Sequence, residues 1–227
     1  EELENFLKYK LSDSQVPDAT HQAYQVAFAD LKPGVRIGDY TLYNQLGKAG
    51  GFSRVFKAKH SLQTKEFAIK IFNESINRQT VIDEYTALAD LNHPNIVKFV
   101  NNGTLPNGQF FTLMEYLEGN DLQEYTTGDL KLPMQLVYQV AKEILGALVC
   151  LQNHKPQSIY HRDIKPSNIV WDKKERFVLI DFNVATNLDT DKNFVGTQPY
   201  LAPDLIQDKN VNWDNSADTF SLGITLY

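Results

Sequence analysis

The stretch His161-Arg162-Asp163-Ile164-Lys165-Pro166-Ser167-Asn168, followed by Val178-Leu179-Ile180-Asp181-Phe182, constrains this chain more than any other. It places a base, a cation and two oxygen-bearing side chains in one short run of loop and hairpin. Asp163 is suited to accept a hydroxyl proton, and Lys165 to neutralise a phosphate in transfer. Asn168 and Asp181 offer the hard oxygen atoms that Mg²⁺ prefers. Apolar Ile169-Val170-Trp171, the polar turn Asp172-Lys173-Lys174-Glu175, and Phe177 to Ile180 predict a β-hairpin holding the two oxygen ligands near each other.

Composition bounds what surrounds this motif. A chain of 227 residues is enough for one large domain or two small lobes. Hydrophobic residues at 42% and charged residues at 22% are those of an ordinary globular protein. The single cysteine, Cys150, rules out an intrachain disulfide, and its apolar surroundings point to a reduced thiol in the cytoplasm. No apolar run approaches the roughly 20 residues that span a bilayer, so no membrane segment is expected. The net charge of −6 argues against direct nucleic-acid binding. Both ends read as cuts: the chain opens on Glu1, and the apolar stretch Ser216 to Tyr227 stops without a polar tail. Apolar helices are normally buried. The rest of a parent chain, or a partner, is therefore expected to cover that end.

Along the chain the pattern changes character. Residues 1–36 read as a helical extension or linker, with Pro33-Gly34 marking a turn. Strands are predicted at Tyr40 to Leu42, Ser53 to Lys59, Glu66 to Phe72, Ile96 to Val100 and Phe110 to Glu115. A helix is predicted from Thr80 to Leu91, with Ile82, Tyr85, Leu88 and Leu91 on one face. Beyond Leu117 the pattern is mostly helical, with a long helix from about Leu132 to Asn153.

Several motifs, in fixed order, resemble those of eukaryotic-type protein kinases. Leu46-Gly47-Lys48-Ala49-Gly50-Gly51-Phe52-Ser53-Arg54-Val55 is similar to the glycine-rich loop, with Ser53 where the third glycine is usual. Gly50 and Gly51 let backbone amides approach phosphate closely. Phe67-Ala68-Ile69-Lys70 resembles the strand bearing the phosphate-contacting lysine. Glu84, on the next helix and before His93-Pro94-Asn95-Ile96-Val97, falls at the spacing of its acidic partner. Met114-Glu115-Tyr116-Leu117 resembles the hinge that meets adenine, and Gly119-Asn120-Asp121 is either a plain turn or the site of a ribose-contacting acid.

The resemblance implies an α+β, bilobal protein-kinase-like fold. Residues 37–115 form a small five-stranded antiparallel N-lobe with one helix, and 116–227 a mostly helical C-lobe truncated within a core helix. It further implies a Ser/Thr kinase using ATP and Mg²⁺ on protein substrates. Asp163, Lys165, Lys70 and Glu84 are then catalytic, while Asn168 and Asp181 hold the metal. Gly50, Gly51, Val55, Ala68, Lys70, Met114, Glu115, Leu117 and Asp121 line the nucleotide site. Gly196 to Asp204 resembles the substrate-docking segment, in which Thr197 contacts Asp163 and Lys165. Asp218 resembles the acid that hydrogen-bonds the catalytic-loop backbone. Thr186 and Thr190 are candidate phosphosites. Asn183 and Asp204 depart from the family pattern, and with Ser53 they supply the rival reading, a pseudokinase or ATP-binding scaffold.

Overall fold

The computed structural model describes residues 27–47, 53–74, 76, 78–105, 108–126, 131–182, 196–207 and 213–227, without the side chains of 78, 80, 83, 84, 87 and 215. Gly50, Gly51, Asn183, Thr186 and Thr190, and the side chain of Glu84, lie outside the described residues. Two compact units emerge, one of Glu1–Glu74 and Gly103–Phe111, the other of Ser75–Asn102 and Thr112–Tyr227.

The first unit is built on an antiparallel meander. Strands β2 (Tyr40–Leu46), β3 (Ser53–His60) and β4 (Glu66–Phe72) follow one another in space as in sequence. The β2–β3 register runs from Tyr40↔His60 to Leu46↔Val55 and is interrupted by a bulge between Leu42 and Gln45. The β3–β4 register is unbroken from Ser53↔Phe72 to Lys59↔Glu66. In β4 every residue after Glu66 is buried, as a strand covered on both faces requires. Leu42, Phe56, Ala58, Ile69 and Ile71 are fully inaccessible and form the core of this unit, joined by Leu31 and Ile37.

Among the described residues the sheet has six strands, ordered β1-β2-β3-β4-β6-β5, where five were expected. The added strand, β1 (Arg36–Ile37), pairs with β2 across a two-residue turn. Gly38 there has φ 57°, the left-handed geometry that tight hairpins use. Two residues are too short to show alternation, so the pattern missed them. Strand β5 covers Phe99–Thr104, not Ile96 to Val100, and β6 covers Phe110–Glu115. The segment before β5 is occupied elsewhere: Val97 N donates to Leu179 O, Leu179 N to Asn95 O, and Ile96 forms a lone parallel bridge to Leu179.

Helix α1 (Arg78–Ala89) buries Val81 and Leu88, while Ile82 and Tyr85 stay partly exposed. Gly119–Asp121 forms strand β7 and not a plain turn, pairing antiparallel with β8 (Ile169–Asp172). Strand β9 (Arg176–Leu179) completes this small sheet as the predicted hairpin, with Glu175 at φ 58° in its turn. Asp121 caps the short helix α2 (Leu122–Tyr125) by accepting from Glu124 N at 3.1 Å.

Helix α3 (Met134–Gln152) has the length and hydropathy to cross a membrane, which corrects the expectation that no apolar run comes close. One stripe of it, Val140, Ile144, Ala147 and Leu151, is fully buried. Its Glu143 accepts from Phe177 N at 2.7 Å and Asn95 Nδ2 at 2.9 Å. These contacts tie one face of the helix to the small sheet, the carboxylate satisfying backbone that the sheet leaves unpaired, while Met134, Tyr138, Leu145 and Val149 are exposed. Helix α4 (Pro203–Gln207) is short, and α5 (Asn215–Leu226) packs on α3.

A testable consequence follows from β7. A Cβ at Gly119 would lie 1.8 Å from the Trp171 carbonyl oxygen, so backbone must move to admit one. Gly119→Ala is expected to lower unfolding stability by about 2–3 kcal/mol, as overpacking does, read from urea denaturation.

Candidate active site

The loop carrying Asp163 is held from below by α5. Asp218, 3% exposed, accepts from His161 N at 2.8 Å and from Arg162 N at 2.9 Å through separate carboxylate oxygens. Between those anchors and Asp163, Arg162 adopts φ 67°, an uncommon conformation for a residue with a side chain. Burial raises the Asp218 pKa, and the amide donors of Arg162 and His161 oppose the rise.

His161 is fully buried against Phe182, with ring centroids 4.5 Å apart. Its Nε2 lies 3.0 Å from Ile180 O, and its Nδ1 accepts from Asp163 N at 3.3 Å. The neutral tautomer with the proton on Nε2 satisfies both contacts, whereas a second proton on Nδ1 would face an N–H. Burial lowers the pKa, while Asp218, the Ile180 carbonyl, Asp163 and Asp181 pull the other way. His161 is thus a scaffold that links the loop to the end of β9.

Three side chains meet at Asp163, which is 8% exposed. Lys165 Nζ donates to Oδ2 at 2.6 Å, and Asn168 Nδ2 to the same oxygen at 3.1 Å and to the Asp163 carbonyl at 2.8 Å. Thr197 donates its hydroxyl to Oδ1 at 2.7 Å and accepts from Lys165 Nζ at 2.9 Å. Lys165 and Thr197 close a ring with the carboxylate, Lys165 on Oδ2 and Thr197 on Oδ1. A carboxylate fixed beside an ammonium is equipped to take a proton and to meet new negative charge.

Asn168 and Asp181 fall at the open end of the β8–β9 hairpin. Ile180 N donates to Asn168 O at 3.0 Å, so the residue after it, Asp181, stands beside Asn168. Asp181 has φ 59°, and aspartate is among the residues that tolerate that region. With its amide turned to Asp163, Asn168 has its carboxamide oxygen left for a cation. One carboxylate and one amide oxygen form a hard donor set that fits Mg²⁺, which takes the remainder of its shell from phosphate and water.

In the first unit, strand alternation and the β3–β4 register put Val55, Ala68 and Lys70 on one face. Lys70 is 7% exposed, with Nζ 5.1 Å from the Phe72 ring centroid. In the second unit Met114 is buried at the end of β6 and Leu117 is half-buried. Glu115 N donates to Lys98 O at 2.9 Å. Asp204 is exposed in the first turn of α4. Two residues escaped the sequence reading: Glu143, a lone acid beside the buried stripe of α3, and Arg176, which resembled any turn cation.

An antiparallel sheet unit, a mostly helical unit and a carboxylate–lysine–asparagine loop define a kinase-like class of protein. The protein kinase domain family matches residues 40–227, and the chain belongs to it. It is 30% identical over 203 residues to the serine/threonine-protein kinase ATG1a of Arabidopsis thaliana, covering 84% of this chain and 31% of that one. It is 34% identical over 212 residues to the serine/threonine-protein kinase cds1 of Schizosaccharomyces pombe, covering 83% of this chain and 44% of that one. The chain therefore spans less than half the length of these relatives. Among solved structures, the kinase domain of Mycobacterium tuberculosis PknI superposes with a TM-score of 0.65 at 24% identity, covering 86% of this chain and 74% of that one.

The neutral state of His161 has a measurable consequence. In the unfolded chain histidine takes up a proton near its ordinary pKa, while the folded protein resists it, so the unfolded state binds more protons. Stability is then expected to fall as pH drops below about 6.5, over the window down to the depressed folded value. Denaturation at a series of pH values should show this slope in the native protein and a shallower one in His161→Phe.

Proposed function

We propose that this chain is the catalytic region of a protein serine/threonine kinase that transfers the γ-phosphoryl of ATP to Ser or Thr hydroxyls of protein substrates. The Asp163–Lys165–Asn168–Thr197 cluster carries the reading, because its donors and acceptors are arranged as such a transfer demands. Asp163 orients the acceptor hydroxyl and takes its proton as the new O–P bond forms and the bond to the β-phosphate oxygen breaks. Lys165 meets the charge of the phosphoryl in transit. Thr197 holds Lys165 and Asp163 in register. A bound Mg²⁺, held by Asn168 and Asp181, would offset charge on the phosphate oxygens.

Lys70, with Glu84 as its partner, would hold the α- and β-phosphates, and the backbone at Gly50 and Gly51 would cradle them. Val55 and Ala68 would cover the adenine. Met114 would border it, and the backbones of Glu115 and Leu117 would face its edge. Asp121 would reach the ribose while keeping its cap on α2. The proposed lobes are 37–115 and 116–227, preceded by an extension at 1–36. We place the protein in the cytoplasm as part of a larger multidomain chain. Phe220, Ile224 and Tyr227 of α5 are exposed here, and further chain or a partner is proposed to cover them.

The test uses the full-length protein, labelled ATP and a Ser/Thr peptide library. Asp163→Asn, Lys165→Met and Lys70→Met are each expected to lower transfer by roughly 10²–10⁴-fold. Equal incorporation in all variants would contradict the assignment. Thermal stabilisation by ATP without any transfer in the native protein would identify a nucleotide-binding scaffold instead.

A further inference from the structure

Arg176 joins three segments of the second unit with one guanidinium. Nε and Nη2 each lie 3.0 Å from Asp172 Oδ2, across the β8–β9 turn. Nη1 donates to Pro94 O at 2.6 Å. Nη2 also lies 3.5 Å from Glu115 Oε2 at the end of β6. Glu115 is held a second time, since its Oε1 accepts from Lys98 N at 3.0 Å.

The charges involved are sheltered. Side-chain exposure is 20% for Arg176, 18% for Glu115 and 5% for Asp172, so water screens their interaction less than on an open surface. Two carboxylates share this one cation. Removing it would leave both carboxylates without their shared cation; Asp172 keeps Lys174 N at 3.1 Å within its own turn, whereas Glu115 loses its tie to the hairpin. A planar fork with donors on three nitrogens reaches all three acceptors; the single ammonium of a lysine does not.

We propose that Arg176 is a positioning residue for the nucleotide. It fixes the backbone of residues 114–117 against the hairpin whose open end carries Asn168 and Asp181, without touching the ligand itself. The inference rests on the reading above, in which the backbones of Glu115 and Leu117 face adenine. Its distinctive consequence is a split between kinetic constants: nucleotide recognition depends on Arg176, while the Asp163 cluster, on the other side of the hairpin's sequence, does not.

The experiment measures calorimetric binding of MgATP, KM for ATP, KM for a peptide substrate, kcat and melting temperature in the full-length protein. Arg176→Met is expected to weaken ATP binding and raise KM for ATP by about 5–20-fold, the scale of losing one charge-assisted tie. The peptide KM and kcat should stay within about twofold of native values. Arg176→Lys should restore only part of the loss. Glu115→Gln, which keeps an acceptor for Lys98 N but loses the charge, should reproduce part of it and decides the matter should Arg176→Met fail to fold. A role confined to stability would lower the melting temperature and kcat through the active fraction, with KM for ATP unchanged, and that result overturns the inference. Native protein that does not bind MgATP would sink the functional reading first; native binding with unaltered variants would sink this inference alone.

Discussion

Asp218 is a buried carboxylate whose two oxygens receive the backbone N–H groups of His161 and Arg162. The rest of the site depends on that interaction. A loop that turns through positive φ at Arg162 is unfavourable by itself, and left-handed geometry in a residue with a side chain calls for support from its surroundings. Asp218 supplies that support from a helix instead of from a neighbouring strand. The burial that raises its pKa shows that ionisation there is costly. The two amide donors, each bonded to a charged oxygen, offset the cost. Once the turn at Arg162 is fixed, Asp163 must emerge where Lys165, Asn168 and Thr197 can reach it.

The second constraint comes from the hairpin. His161 bonds to Ile180 O, and Asn168 O accepts from Ile180 N, so one residue of the chain after β9 is gripped from both ends of the loop. Asp181 follows directly and is presented by its own left-handed backbone. On the far side, Glu143 and the Asn95 side chain satisfy the amide and carbonyl of Phe177, which no strand pairs. The hairpin is therefore rigid without belonging to a large sheet. Polar groups buried in this way are favourable only when every partner is present, which explains why three separate segments converge on a four-residue strand.

Much of this was legible in the sequence because the signals are local. The turn Asp172 to Glu175 between apolar runs announced the β8–β9 hairpin, and the strand-like runs Ser53 to Lys59 and Glu66 to Phe72, set apart by polar breaks, announced the meander. The failures share a physical origin, which is that composition does not say where a segment's backbone bonds go. Ile96 and Val97 are as apolar as a strand should be, yet their bonds run to Leu179 and not into the sheet. Gly119 looked like turn punctuation, whereas its missing side chain admits the Trp171 carbonyl. Glu143 and Arg176 carry ordinary charges in the sequence, and their significance lies in which unpaired groups they meet. The residues proposed to act on the nucleotide stand out only by their order along the chain, since neither Val55 nor Met114 differs from plain core in pattern alone.

The central claim is that Asn168 and Asp181 present their oxygens to the metal of a bound nucleotide while Asp163 stays linked to both Lys165 and Thr197. Paramagnetic broadening tests it directly. With Mn²⁺ and ADP added to isotope-labelled full-length protein, the Asn168 side-chain amide and the backbone amides of Ile180 and Asp181 should broaden first, and only when nucleotide is present. Broadening centred on another acidic region, or none at these three groups when nucleotide is bound, would contradict the account.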